Sequence, residues 1–195
     1  MKEGLIMGKL SFVAFGIILI IGLIGIGWYV NGLDRVVKMD EAVKASWAQV
    51  ENQLQRRNDL IPNLVNTVKG YASHEEGLFT KITELRSQWA GSMSQKDKIK
   101  NAEEMGRVLS RLLLVAENYP ELKANENFLT LQAQLEGTEN RISVERMRYN
   151  ESVRTFNAHI RTVFGKFFAK RRALTEPAPY FEISEEVEKV PEVKF

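Results

Sequence analysis

Two rhythms of apolar residues run along this chain. From Ser11 to Val30 they are unbroken, an uncharged run of 20 residues that as a helix can cross a hydrocarbon core of about 30 Å. Further on they thin to Val43, Trp47, Val50, Leu54, Ile61, Leu64, Val68 and Tyr71, four and three apart by turns, which marks one seam of a long helix. Arg57 alone interrupts that seam. The register is the same on both sides of Pro62, so one bent, continuous helix A over residues 34–72 is expected rather than two.

The same spacing predicts the rest of the bundle. Asp34 can cap helix A after Gly32, and Gly70 loosens its end. Ser73 and Glu76 form a capping box that opens helix B, whose face is Leu78, Ile82, Leu85 and Trp89 and whose stop is the stretch 91–94. After a polar turn ending near Asp97, helix C carries Ala102, Met105, Leu109, Leu112 and Ala116 until Pro120 breaks it. Residues 121–124 connect to Asn125, the expected cap of helix D, whose stripe runs from Phe128 through Leu135, Thr138 and Ile142 to Val163. The fold class is all-α: a transmembrane helix, then an elongated antiparallel up-down bundle with two long helices, A and D, and two short ones, B and C. Its expected boundaries are a short tail at 1–10, the span at 11–30, the bundle at 34–174 and an acidic, extended tail at 175–195.

Composition narrows the class. With 27 Lys+Arg against 25 Asp+Glu, the net charge of +2 gives no case for a nucleic-acid partner. The absence of Cys excludes disulfides, thiolate metal sites and a lipid-anchored cysteine. The apolar run is too long for a cleaved signal peptide and ends in Trp28 and Tyr29, where an interfacial aromatic belt belongs, so a retained anchor is the reading. Lys2 and Lys9 on one side and Arg35, Lys38 and Lys44 on the other specify orientation only weakly. The favoured arrangement is single-pass with the helical domain outside the cytoplasm; the opposite orientation stays open.

Four blocks carry a family likeness: Gln53 to Val65; Val68 to Glu75; Glu117 to Asn125; and Phe128 to Gln132 continuing through Thr138 to Ile142, with Tyr149 and Asn150. Through them the chain resembles the LemA family of bacterial membrane proteins over nearly its whole length. The resemblance implies an N-terminal anchor, an antiparallel helical bundle and, from some relatives, a part in shaping intracellular membranes. It breaks at Thr162-Val163-Phe164, where the family has a Phe-Pro pair, so helix D is expected to run on past that point.

The bundle invites a di-iron site, but neither His74 nor His159 has a Glu three residues before it, and no cofactor is expected. Arg56, Arg57, Asn58, Asp59, Asn63, Glu117, Gln132, Glu139 and Arg141 could form a binding site or a buried polar layer. Arg57 and Thr138 lie on apolar stripes, which favours the layer, with Glu117 or Glu139 as the carboxylate that meets Arg57. Phe167, Phe168, Lys170, Arg171 and Arg172 read as a membrane-interface segment beside Trp28 and Tyr29, since an up-down topology returns the end of helix D to the anchor.

Helices A and D are matched at about 57 Å, and B and C are about half as long. Val43, Trp47 and Val50 of A and Val153, Phe156 and Ile160 of D are then expected to stand open and to pack copies of the chain together as a homo-oligomer. The reading that follows is a non-enzymatic envelope scaffold. Its alternative is an accessory protein or enzyme acting on envelope lipid or peptide at the polar layer.

Overall fold

The computed structural model describes residues 2–72, 74–91 and 94–181. Helix α1 spans Lys2–Lys69, α2 Glu76–Ala90, α3 Gln95–Ala116, α4 Pro120–Lys123, α5 Glu126–Arg161 and α6 Val163–Arg171, and the described residues contain no strand. The expected anchor and helix A are thus a single helix. It passes Gly32 and Asp34 without a break, because an isolated glycine costs only about 1 kcal/mol in a helix and no proline stands nearby. Pro62 is likewise inside α1, as the unchanged register predicts.

The described chain divides into two compact units, one of residues up to Val43 with Arg154–Ala178, the other of Lys44–Val153 with the chain from Pro179 onward. In the second unit the later part of α1 and the earlier part of α5 are antiparallel. Trp47 meets Tyr149, Arg57 meets Glu139 and Tyr71 meets Asn125, so numbers rise on one helix as they fall on the other. Helices α2 and α3 pair in the same sense, through Lys81 with Glu104 and Asn101 with the Leu85 carbonyl. Between them lies a core that includes Ile61, Leu64 and Val68 of α1, Ile82 and Leu85 of α2, Met105, Leu109 and Leu112 of α3, and Phe128 and Leu135 of α5. The expected connection at 121–124 is the one-turn helix α4, which puts Leu122 into that core, a contribution of about 2 kcal/mol.

Helix ends follow local chemistry. Asn125 caps α5, its Oδ1 accepting from Phe128 N at 3.1 Å, as expected. Ser94 caps α3: its Oγ accepts from Asp97 N at 3.2 Å and donates to Asp97 Oδ2 at 2.6 Å. At the start of α2, Glu75 holds the cap position without a side-chain bond and Glu76 is the first helical residue, while Ser73 of the expected capping box lies outside the described residues. Ser73, Ser92, Met93 and the tail from 182 on lie outside the described residues.

Helix D does not run on. It stops at Arg161, where the Thr162 hydroxyl donates to the His159 carbonyl at 2.8 Å and accepts from Gly165 N at 3.0 Å, starting α6 in a new direction. Any Cβ on Gly165 would overlap the His159 carbonyl, so this turn demands glycine. Past Arg171 the helix ends through Ala173 at φ 56°, ahead of Pro177 and Pro179.

Candidate functional site

Position on the helix decides which polar residues meet. Arg57, on the seam, is 3% exposed; its Nη1 lies 3.3 Å from Glu139 Oε1 and its Nη2 donates to the Ala102 carbonyl at 2.9 Å. Burial pulls the Arg57 pKa down and Glu139 pushes back. Asn58 is buried beside it. Of the two carboxylates expected, Glu139 is the partner; Glu117 pairs with Lys123 at the surface. Arg56, Asp59, Asn63 and Arg141 fall off the stripes and are exposed, which corrects a layer of nine to a core of Arg57, Asn58 and Glu139. Asp59 accepts from Gln55 Nε2 at 2.8 Å and Gln132 donates to Glu136 at 3.0 Å, both within one helix face. Arg56 and Arg141, with Thr130, Gln134 and Thr138, edge an open depression of about 410 Å³. Glu139, itself 41% exposed, edges another of about 500 Å³ with Gly106, Ser110 and Asn140. In the second, the Ser110 hydroxyl donates to the Gly106 carbonyl at 3.0 Å.

In the other unit α6 is docked on α1 through aromatic rings. Phe168 lies edge-on to Trp28 at 5.1 Å and to Tyr29 at 6.0 Å, and Phe164 is 5.4 Å from Trp28. A Cβ at Gly32 would overlap the Phe168 ring, so glycine here admits the close approach. Phe168 is consequently buried rather than free to reach headgroups, a correction to the expected pair. Phe167 stays exposed beneath the Arg171 guanidinium at 5.4 Å, and Lys170 and Arg172 are exposed as expected. From Ile17 to Val30 every side chain of α1 is exposed all round the helix, and the segment is long and apolar enough to cross a membrane.

The residues expected to stand open for self-association do not. Val43, Val50, Val153, Phe156 and Ile160 are buried within the chain, and Trp47 is partly covered. Part of the cover is the start of the expected tail. Phe181, 3% exposed, stacks on Trp47 at 5.9 Å and meets Tyr149 edge-on at 5.8 Å. Asn150 clamps the Phe181 backbone, accepting from its N and donating to its carbonyl at 3.0 Å each. Asn157 grips Ala178 the same way at 2.8 and 2.9 Å, and the Tyr149 hydroxyl donates to the Pro179 carbonyl. Burial raises the Tyr149 pKa to about 12.

The sequence profile of the LemA family matches residues 46–195, which takes in Arg57, Glu139, the Asn clamps and α6. The chain belongs to the LemA family. Protein LemA of Metamycoplasma hominis is 24% identical over 174 residues, covering 88% of this chain and 79% of that protein. Magnetosome protein MamQ 2 of Paramagnetospirillum magneticum is 24% identical over 150 residues, 64% of this chain and 55% of its own length. Magnetosome protein MamQ of Magnetospirillum gryphiswaldense is similar at 24% over 151 residues, again 64% and 55%. The chain therefore spans about half the length of the MamQ relatives. Membership of the LemA family and the N-terminal apolar helix together suggest a membrane-anchored protein of the envelope.

Reasoning from sequence missed Phe181, Asn150 as a clamp, Asn157 and the Ser94 cap of this LemA-family chain. A signal existed for the clamps, because Asn150 and Asn157 are seven apart on one helix face and an aromatic pair, Tyr180-Phe181, follows the two prolines.

Proposed function

We propose that this protein is a non-enzymatic scaffold held in the bacterial inner membrane by a single pass of α1, with its helical units outside the cytoplasm. The observation that carries the reading is the join of two features in one unit. The apolar side chains of residues 17–30 are uncovered all round, as suits a lipid surrounding, and α6 packs its Phe168 on Trp28 and Tyr29 where that apolar segment ends. Along the chain from Arg161 to Ala178, Arg161, Lys166, Lys170, Arg171 and Arg172 stand against Glu176 as the one acidic residue of the stretch, which suits an anionic bilayer surface. The magnetosome names of two relatives support a part in organising membranes.

A scaffold reading is further supported by the terminal nitrogens of Arg57, which already have Glu139 and the Ala102 carbonyl, though its buried Nε has no hydrogen-bond partner. Self-association belongs to the proposal through confinement of copies in one bilayer, and no longer through the apolar seam, whose residues are covered. The test is carbonate extraction of membranes followed by mass measurement of the full chain in mild detergent. Retention in the membrane pellet and a particle larger than one chain are expected. Release by carbonate would overturn the anchor, and a single-chain mass across a wide concentration range would overturn self-association.

A further inference from the structure

The docking of α6 leaves a cleft of about 450 Å³ lined by Trp28, Asn31 and Arg35 of α1, by His159, and by Phe164 and Phe168 of α6. Trp28, Asn31 and Arg35 are spaced three and four apart and so share one face of α1. Along that face the chemistry changes in order, from an aromatic ring at the end of the apolar segment, to a neutral amide, to a guanidinium. No carboxylate lines the cleft. Arg35 makes no ion pair among the described residues, and His159 Nε2 is buried without a hydrogen-bond partner. The imidazole is held below its ordinary pKa by burial first and by Arg35 second, so Arg35 carries the positive charge of the cleft. The walls are built rather than incidental, since Gly32 and Gly165 are each required for the backbone and ring approaches that form them.

We infer that this cleft binds the headgroup of one anionic phospholipid, with the phosphodiester on Arg35 and Asn31 and the glycerol end against Trp28. The inference rests on the proposed anchor for the direction from which the lipid enters. A guanidinium meets two phosphate oxygens at once, the amide N–H groups donate to a third, and the indole suits the boundary between acyl chain and headgroup. The apolar end of the face selects a lipid over free phosphate.

The full chain in dodecyl maltoside, studied by native mass spectrometry with phosphatidylglycerol, tests this. One retained lipid per chain is expected, weakened about tenfold by Arg35→Gln, the loss of one charge-assisted contact. Asn31→Ala should weaken it less, while Lys38→Gln and Arg111→Gln, which remove equal charge outside the cleft, should not. Unchanged circular dichroism and melting would show that the variants fold. Equal retention by Arg35→Gln, equal weakening by either control, or equal retention of phosphatidylcholine would each overturn the assignment. Displacement of the lipid by millimolar inorganic phosphate would make a free anion the ligand instead. Carbonate extraction separates the two readings: a chain that stays in the membrane yet retains no lipid refutes the cleft alone, and a chain that is released refutes the anchor.

Discussion

Two arginines on the same helix have opposite surroundings. Arg57 replaces an apolar residue of the seam, and the fold brings it a carboxylate and a backbone carbonyl. Arg35 lines a cleft whose other basic group, His159, cannot neutralise it. A cation to which the chain supplies a counter-charge is suited to setting the register of a bundle, whereas one left facing a second base is suited to an anion from outside. Burial and neighbour both separate the two: Arg57 is buried against a carboxylate, and Arg35 is exposed beside an imidazole.

The largest effect that could break this contrast is at Glu139. Glu139→Ala leaves a buried guanidinium short of its counter-charge and should cost about 3 kcal/mol in urea unfolding. Arg57→Met should cost about 1 kcal/mol or less, because Glu139 can turn to solvent and the thioether fills the space. Equal losses in the two variants would mean that the pair is not held by burial of the arginine.

Tyr149 comes next, a buried ring whose hydroxyl donates to the Pro179 carbonyl within the same unit. Its folded pKa of about 12 exceeds the ordinary value of 10.0, so its contribution is complete below pH 10 and is lost as pH rises toward 12. About 2–3 kcal/mol should disappear over that range, as the difference between wild type and Tyr149→Phe. Parallel alkaline curves for the two proteins would contradict it. At a smaller scale, Asn125→Ala should remove about 1 kcal/mol of thermal stability through the lost cap of α5.

The smallest effect concerns His159. Its depressed pKa means that stability is complete above the ordinary value of 6.5 and declines as pH falls below it, when the ring must take a proton beside Arg35. Melting of the full chain in detergent from pH 7 to 5 should show this decline, and His159→Gln should flatten it.

Periodicity made the helices legible, since seams three and four apart record burial directly: Leu54, Ile61, Leu64, Leu112 and Leu135 are buried as their spacing requires. The Arg57 pair was legible for the same reason, as a charge on a seam needs a partner. What the pattern could not show was direction of travel after a helix ends. Thr162 and Gly165 turn the chain by a side-chain bond and a missing Cβ, neither of which has a period. The stretch 177–181 has two prolines and reads as tail, yet Asn150 and Asn157 satisfy its backbone in place of a sheet neighbour. The Gly32 break failed because glycine there serves the approach of Phe168 and does not end the helix.

Phe181 also has a consequence for synthesis. Trp47 and Tyr149 leave the ribosome well before the ring that covers them, so during translation this aromatic patch is open to other surfaces. Without Phe181, the Trp47 and Tyr149 rings lose the aromatic face that packs on them. A chain lacking that ring presents the exposed apolar surface by which chaperones and proteases sort defective chains.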